Sequence, residues 1–339
     1  MKAVVYTEPK KFIVKNVPDP VCTEQKVKIK IKSCGVCKTD IHIHNGSFIS
    51  KFPLIPGHEF SGEIVEIGSL VPGFRIGQRV TADNTVLCGY CYFCRKNMPL
   101  YCENFYSLGV TGPGGFAEYI AVNHEKVFPI SDDLSFDEAA FCEPAACAIH
   151  CLDRIQPQPG DDIIIFGAGP AGIILTQILK CNGAGNIIVC APSRDKLDII
   201  ENMNIAETVL FHKNDYLRHE TVIKSRFPKG FDIIIEATGS SQVAGHCFSY
   251  AKRGSKIVFY GVCDKAGEIK INPYQIFIDE IKIIGSFAQT HCFDRAIQYL
   301  ESGTVKVNNL ITHTFNLDEY GKAIDAVADG RCLKAIIHP

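Results

Sequence analysis

The sequence has almost no excess of charge of either sign: 35 Lys and Arg stand against 37 Asp and Glu, a formal net charge of −2. That balance leaves no electrostatic footprint for nucleic acid or for an anionic membrane surface. Long hydrophobic runs are lacking too. None approaches the ~18 apolar residues that cross a bilayer. The N-terminus turns charged after the four apolar residues Ala3 to Tyr6, which is not the pattern of a signal peptide. The final Ile337-His338-Pro339 matches no targeting tripeptide, so the expected location is cytoplasmic. Internal repeats and low-complexity tracts are missing as well. What remains is an ordinary globular composition, 46% hydrophobic over 339 residues, enough for about two domains at roughly 150 residues each.

The two domains differ in rhythm. Lys26 to Lys32 alternates polar and apolar residues strictly, the pattern of a half-buried antiparallel strand. Residues 62–68, 79–82 and 115–122 predict further short strands, separated by turns at Pro72-Gly73 and Gly77. Such a series suggests a β-rich, barrel-like domain. Ser135-Phe-Asp-Glu138 reads as a helix capping box, with the helix running to Leu152. Pro157-Gln-Pro159-Gly160 marks a boundary. Beyond it, continuous apolar runs at 163–166, 187–189, 232–237, 256–260 and 282–285 alternate with helical segments, as in a parallel sheet buried on both faces. Two amphipathic helices and a last strand at 334–337 follow residue 290.

Cysteine is abundant, at 16 residues. A disulfide framework belongs to short secreted chains, and this chain is long with no export signal. Cys88, Cys91, Cys94 and Cys102 form a C-x2-C-x2-C-x7-C group whose thiolates can close a tetrahedral shell around a structural zinc. An iron–sulfur cluster or a pair of disulfides is the alternative. Cysteines such as Cys181, Cys190, Cys247 and Cys263 lie in apolar runs and read as small buried hydrophobes in a reducing compartment. A second group is Cys37, His58 and Glu59, all zinc-binding residue types, with Gly57 and Gly62 permitting tight turns around the pair. Taken alone, these three read sooner as a core cysteine and a solvated His-Glu pair than as a metal site. Cys34 and Cys37 also spell a C-x-x-C redox motif, but without the thioredoxin-type context.

Gly167-Ala-Gly169-Pro170-Ala171-Gly172 follows the 163–166 strand and opens a helix. In that setting the glycines and the helix N-terminus form a cradle for a dinucleotide pyrophosphate. NAD-binding versions end the next strand with an acid that bonds the ribose 2′-hydroxyl. Here the strand ends in Ala191-Pro192-Ser193-Arg194. Without the carboxylate there is no repulsion, and Ser193 with Arg194 can grip a 2′-phosphate, so NADP is expected over NAD. The other reading has Arg194 at a helix start and Asp195 serving the ribose.

Together these motifs carry a resemblance. Gly57-His58-Glu59, Gly62, Gly68 and Val71 are similar to the G-H-E signature of medium-chain zinc-dependent alcohol dehydrogenases. Cys37-Lys-Thr39-Asp40, the cysteine lobe and the glycine fingerprint follow in that family's order. Cys142-Glu143-Pro144 resembles the polyol branch of sorbitol, xylitol and arabinitol dehydrogenases. The second strand makes it most similar to an NADP-dependent arabinitol type. The resemblance implies an α/β protein, a GroES-like β-rich catalytic domain at 1–147 and 287–339 with a Rossmann domain inserted at 148–286. It implies two zinc ions per chain. Cys37, His58 and Glu59 would bind the catalytic zinc, with Glu143 beside it directly or through water, unless Cys142 takes that place. Thr39 and His42 would relay the substrate proton, Thr238 and Gly261 would touch the cofactor, and Gln289 the substrate. Phe48, Phe105 and Phe287 would wall the pocket. Gln78 departs from the family's Asp in the following turn. The implied reaction interconverts a polyol, D-arabinitol or a similar pentitol or hexitol, with a ketose. L-threonine 3-dehydrogenase or butanediol-type activity is the alternative, as is a non-catalytic NADPH-binding scaffold, whose known examples lack the zinc ligands. A homo-oligomer, tetramer or dimer, is implied, with no nucleic-acid or membrane partner.

Overall fold

A computed structural model describes residues 1–211 and 215–339. The chain divides into two compact units, Met1–Ala146 with Ala288–Pro339, and Cys147–Phe287. Each boundary lies one residue from the position expected at 147/148 and 286/287.

The first unit is built on a seven-stranded sheet. Its strands run in the order Ile311–Asn316, Lys334–His338, Lys26–Val36, Glu59–Ile67, Arg79–Ala82 and Val127–Pro129, with Tyr119–Asn123 also paired to Lys26–Val36. Alternation explains the middle strand: Val27, Ile29 and Ile31 are buried in the core. Lys28 and Lys32 turn outward to Glu66 and Glu63 on the neighbouring strand, at 2.6 and 3.0 Å, the cross-strand pairing that favours this register. The strand continues past Lys32 because Ser33 to Val36 is covered on both sides and no longer alternates. Lys334–His338 pairs antiparallel with it, Ala335 opposite Val36 and Ile337 opposite Cys34. This joins residues from the two ends of the chain in one sheet.

The helix expected from 135 to 152 is two helices, Phe136–Ala139 and Cys142–Ile155. Ser135 and Glu138 form the expected reciprocal cap. Pro144 lies in the first turn of the second helix, where its missing N–H would have had no intrahelical partner. Gln78 accepts the Arg75 N–H at 3.1 Å through its side-chain oxygen and so closes its turn.

The second unit is a six-stranded parallel sheet in the order Glu207–Leu210, Ile187–Ala191, Ile163–Phe166, Phe231–Glu236, Ala251–Phe259 and Lys282–Gly285. Ile163, Ile164 and Ile165 are fully buried, as are Ile233, Ile234 and Ile235. The edge strand Glu207–Leu210 escaped the sequence reading because it is short and only half-buried. Strand order reverses at Ile163–Phe166, which has Ile187–Ala191 on one side and Phe231–Glu236 on the other. In open α/β sheets ligands bind outside the carboxyl ends of the strands at such a switch point. Among the described residues no helix is long and apolar enough to cross a membrane.

Candidate functional site

Sheet register assembles the first cluster. Gly35 pairs with Glu59, so the end of one strand, where Cys37 follows, meets the start of the next, where His58 and Glu59 stand. The donor atoms of Cys37, His58 and Glu59 lie within 4.8 Å of one another. Gly57 makes the approach possible. Its φ is +96°, and a Cβ there would come within 2.8 Å of both Cys34 Sγ and the Phe116 backbone nitrogen. His58 is 4% exposed and Glu59 1%.

Cys37 is also the N-cap of the helix Lys38–Asn45. The carboxylate of Asp40 accepts the Cys37 N–H at 2.8 Å through Oδ2. Its Oδ1 stands 3.7 Å from His58 Nδ1, and neither of those two buried atoms has a hydrogen-bond partner among the described residues. Burial pushes the Asp40 carboxyl up to about 6. For the His58 imidazole, burial works against the charged form but is outweighed by Asp40, Cys37 and Glu143, which hold it well above its usual range. The pocket therefore calls for positive charge. A thiolate, an imidazole and a carboxylate converging there match the donor set of zinc.

The lobe is a different arrangement. Cys88 and Cys94 sulfurs are 4.0 Å apart, Cys91 and Cys102 3.9 Å, and Cys88 and Cys102 3.5 Å. Four sulfurs about 2.3 Å from one zinc would lie about 3.8 Å apart, and a disulfide needs about 2.05 Å. The backbone N–H groups of Cys88 and Cys91 point at Cys102 and Cys88 sulfurs, both at 3.4 Å, as donors to thiolates do. The pair of disulfides is excluded by these distances.

In the second unit the strand Ile163–Phe166 leads through Gly167, at φ +123°, to Gly169 at the N-cap of the helix Pro170–Cys181. A Cβ on Gly172 would stand 2.1 Å from the Gly167 carbonyl oxygen, so the helix packs this close only with glycine. Nothing lies within 4 Å of the Cβ position of Gly169, which leaves open space before the helix N-terminus. Across the switch point the buried Glu236 carboxylate accepts the N–H groups of Thr238 at 2.7 Å and Gly239 at 3.0 Å. A Cβ on Gly261 would strike both Gly239 and Glu236. The loops bearing Gly167, Thr238 and Gly261 thus border one crevice, an anion-binding cradle of the dinucleotide type.

Comparison with known proteins decides the family. Residues 23–132 match the alcohol dehydrogenase GroES-like domain and residues 170–302 the zinc-binding dehydrogenase domain. D-arabinitol dehydrogenase 1 of Uromyces fabae is 42% identical over 340 residues, covering 100% of this chain and 97% of that protein. Sorbitol dehydrogenase of Bacillus subtilis is 31% identical, covering 100% and 97%. A zinc-binding dehydrogenase of Sinorhizobium meliloti, solved bound to NADP, superposes with a TM-score of 0.93 at 29% identity, covering 100% of this chain and 99% of that one.

The chain belongs to the medium-chain zinc-dependent polyol dehydrogenases. It is an oxidoreductase that uses zinc and a nicotinamide cofactor to act on a small-molecule substrate.

Within this dehydrogenase the expected residues fall into three groups. Cys37, His58 and Glu59 converge, as do the four lobe cysteines. Glu143 is outside the three-residue cluster but acts electrostatically on His58 and Lys334. Thr39 and His42 share a face of the helix Lys38–Asn45, and His42 Nδ1 is 3.1 Å from Ser47 Oγ. Cys142 is fully buried against Thr81 and takes no place beside the metal donors. Cys34 is likewise a core residue.

Two expected site residues are engaged by neighbouring side chains. Gln289 is fully buried and its amide nitrogen donates to Asp83 Oδ1, while its Oε1 has no partner among the described residues. Arg194 lies along its own helix, with Nε 2.6 Å from Asp198 Oδ1 and a second nitrogen on Glu201. A guanidinium so placed is already neutralised locally. Phe48 packs against the core of the first unit, and Phe287 is 48% exposed.

Three residues that support these clusters escaped the sequence reading. Asp40 was visible only as part of a motif, although its spacing of three from Cys37 is a capping signal. Glu236 ends an apolar strand and is fully buried there. Lys334 lies beside Cys37 only through the antiparallel register of the last strand. No local pattern announces it.

Proposed function

We propose that the dehydrogenase interconverts D-arabinitol, or a similar pentitol or hexitol, with the corresponding ketose, using NADP in preference to NAD. The convergence of Cys37, His58 and Glu59 carries the reading, and 42% identity to a D-arabinitol dehydrogenase supports the substrate class. Cys37, His58 and Glu59 would hold the catalytic zinc, Glu143 would stand by it, and Cys88, Cys91, Cys94 and Cys102 would hold a second, structural ion. When bound, zinc polarises the carbinol oxygen and the nicotinamide accepts the hydride. The protein supplies the rest. Asp40 faces His58 Nδ1 and orients the ring, the role of an outer carboxylate in such sites. Thr39 takes the alcohol proton, and His42, one turn along, passes it towards solvent with Ser47 beside it. Gly167, Gly169, Pro170, Ala171 and Gly172 cradle the pyrophosphate, and Thr238 and Gly261 border the cofactor.

The missing acid at Ala191 supports NADP, and Ser193 and Arg194 would be the residues to meet a 2′-phosphate. Because Arg194 is shared with Asp198 and Glu201, the preference rests more on lost repulsion than on a dedicated cation. Ala191→Asp should raise the NAD to NADP ratio of kcat/KM about tenfold or more, the equivalent of roughly 1.4 kcal/mol. An unchanged ratio refutes the pocket. The substrate is tested by initial rates with pentitols, hexitols, butanediol and L-threonine against both cofactors. Faster turnover of threonine than of any polyol would overturn this reading.

An oligomer is part of the proposal. Phe277 and Tyr274, 78% and 70% exposed, lie on the helix Pro273–Asp279 next to the open edge strand Lys282–Gly285. Exposed apolar groups beside an unpaired edge favour association. All 16 cysteines are free, which fits a cytoplasmic location.

A further inference from the structure

Lys334 and Glu59 form an ion pair with side chains only 3% and 1% exposed. A lysine buried this deeply is a poor means of stabilising a fold, because desolvation offsets the attraction and apolar replacements often serve as well. Its surroundings suggest another use. Nζ bonds Glu59 Oε2 and lies 5.3 Å from the centre of the Phe141 ring. The other negative groups it faces are Cys37 and Glu143. Gly35 makes room for the pair: a Cβ there would come within 2.2 Å of Glu59 Oε2 and 2.8 Å of Lys334 Cε. Two strands and a glycine therefore keep an ammonium on one oxygen of a candidate metal ligand.

We propose that Lys334 is a positioning residue that makes Glu59 the exchangeable member of the metal site. It holds one carboxylate oxygen, so ammonium and metal compete for the same negative charge, and Glu59 is a weaker ligand than Cys37 or His58. The ion then keeps a position that a substrate oxygen can enter. This rests on the reading of Cys37, His58 and Glu59 as the catalytic metal site.

The test measures chelator-driven metal loss from the whole enzyme, with Cys37→Ala as the baseline for the lobe ion, and the visible spectrum of the cobalt-substituted protein. Lys334→Met frees the carboxylate for the metal. Loss should slow about 10- to 100-fold, the range of outer-sphere effects on metal affinity, and the cobalt bands should shift while kcat falls more than KM changes. Lys334→Arg should act in the opposite sense, since its fork can occupy both carboxylate oxygens, and speed metal loss. In a Glu59→Gln background, adding Lys334→Met should change the rate by less than about twofold, the non-additivity expected of a residue acting only through Glu59. Lys334→Met and Lys334→Arg both releasing metal at the parental rate, or an undiminished Lys334 effect without Glu59, overturns the inference alone. A parent enzyme that binds only the lobe ion overturns the metal-site reading and this inference with it. If Lys334→Met does not fold, Lys334→Arg carries the test: slower or unchanged loss refutes it.

Discussion

The two candidate metal clusters are built on opposite plans. The lobe takes four identical donors from a segment of 15 positions, Cys88 to Cys102, and its backbone N–H groups point at the sulfurs. The other cluster takes three unlike donors from the facing ends of two strands, with Asp40 on a helix and Lys334 on the neighbouring last strand beside them. A closed shell of thiolates needs little from the rest of the protein. A site that must admit a substrate needs supports that come from elsewhere in the fold.

That contrast predicts graded losses of activity. Cys37→Ala should abolish the mixed-donor site and leave the lobe ion, so metal content falls from about two to about one per chain. The several kcal/mol of charge stabilisation a metal supplies correspond to a loss of about a thousandfold or more in kcat/KM. Retained turnover would erase the distinction between the clusters. Gly35→Ala, though two residues from any donor, places a methyl group on the Glu59–Lys334 pair. A displacement near 1 Å at such a site lowers kcat about a hundredfold, and a wild-type rate would show that the pair is not held as tightly as its packing implies. Asp40→Asn should weaken metal affinity about tenfold to hundredfold by releasing His58 from its carboxylate, read by competition with a chelator.

Cys94→Ala should have the smallest effect on activity and the largest on stability. It opens the lobe shell, so Tm should drop by roughly 10 °C, as expected for several kcal/mol in a chain of this size. At 25 °C kcat should stay within about threefold of the parent, in keeping with a site that performs no chemistry. A large loss of kcat with no change in Tm would invert the comparison.

The same contrast explains what was legible in the sequence. The lobe could be read because spacing alone places its ligands. The glycine cradle could be read because close packing of helix on strand leaves no choice at Gly167 and Gly172. Cys37, His58 and Glu59 could be proposed but not decided, since it is strand register that brings them together. Lys334 could not be seen at all, because its relation to Glu59 exists only once the last strand has paired with Lys26–Val36. Gln289 is a related case. The resemblance implies a substrate contact for it, and its bond to Asp83, more than 200 positions earlier in the chain, exists only in the fold.

Glu59 and Lys334 are separated by 275 positions, and that distance is also an interval of time. At about 5–20 residues per second, the ribosome adds the lysine on the order of tens of seconds after the glutamate. Throughout that interval the strands around Glu59 have no cation of their own to enclose with it, and a metal ion arriving early would meet an uncontested carboxylate. The order of synthesis therefore favours capture of the ion first. On the proposed reading, docking of the last strand would then set the Lys334 ammonium against the metal for that carboxylate.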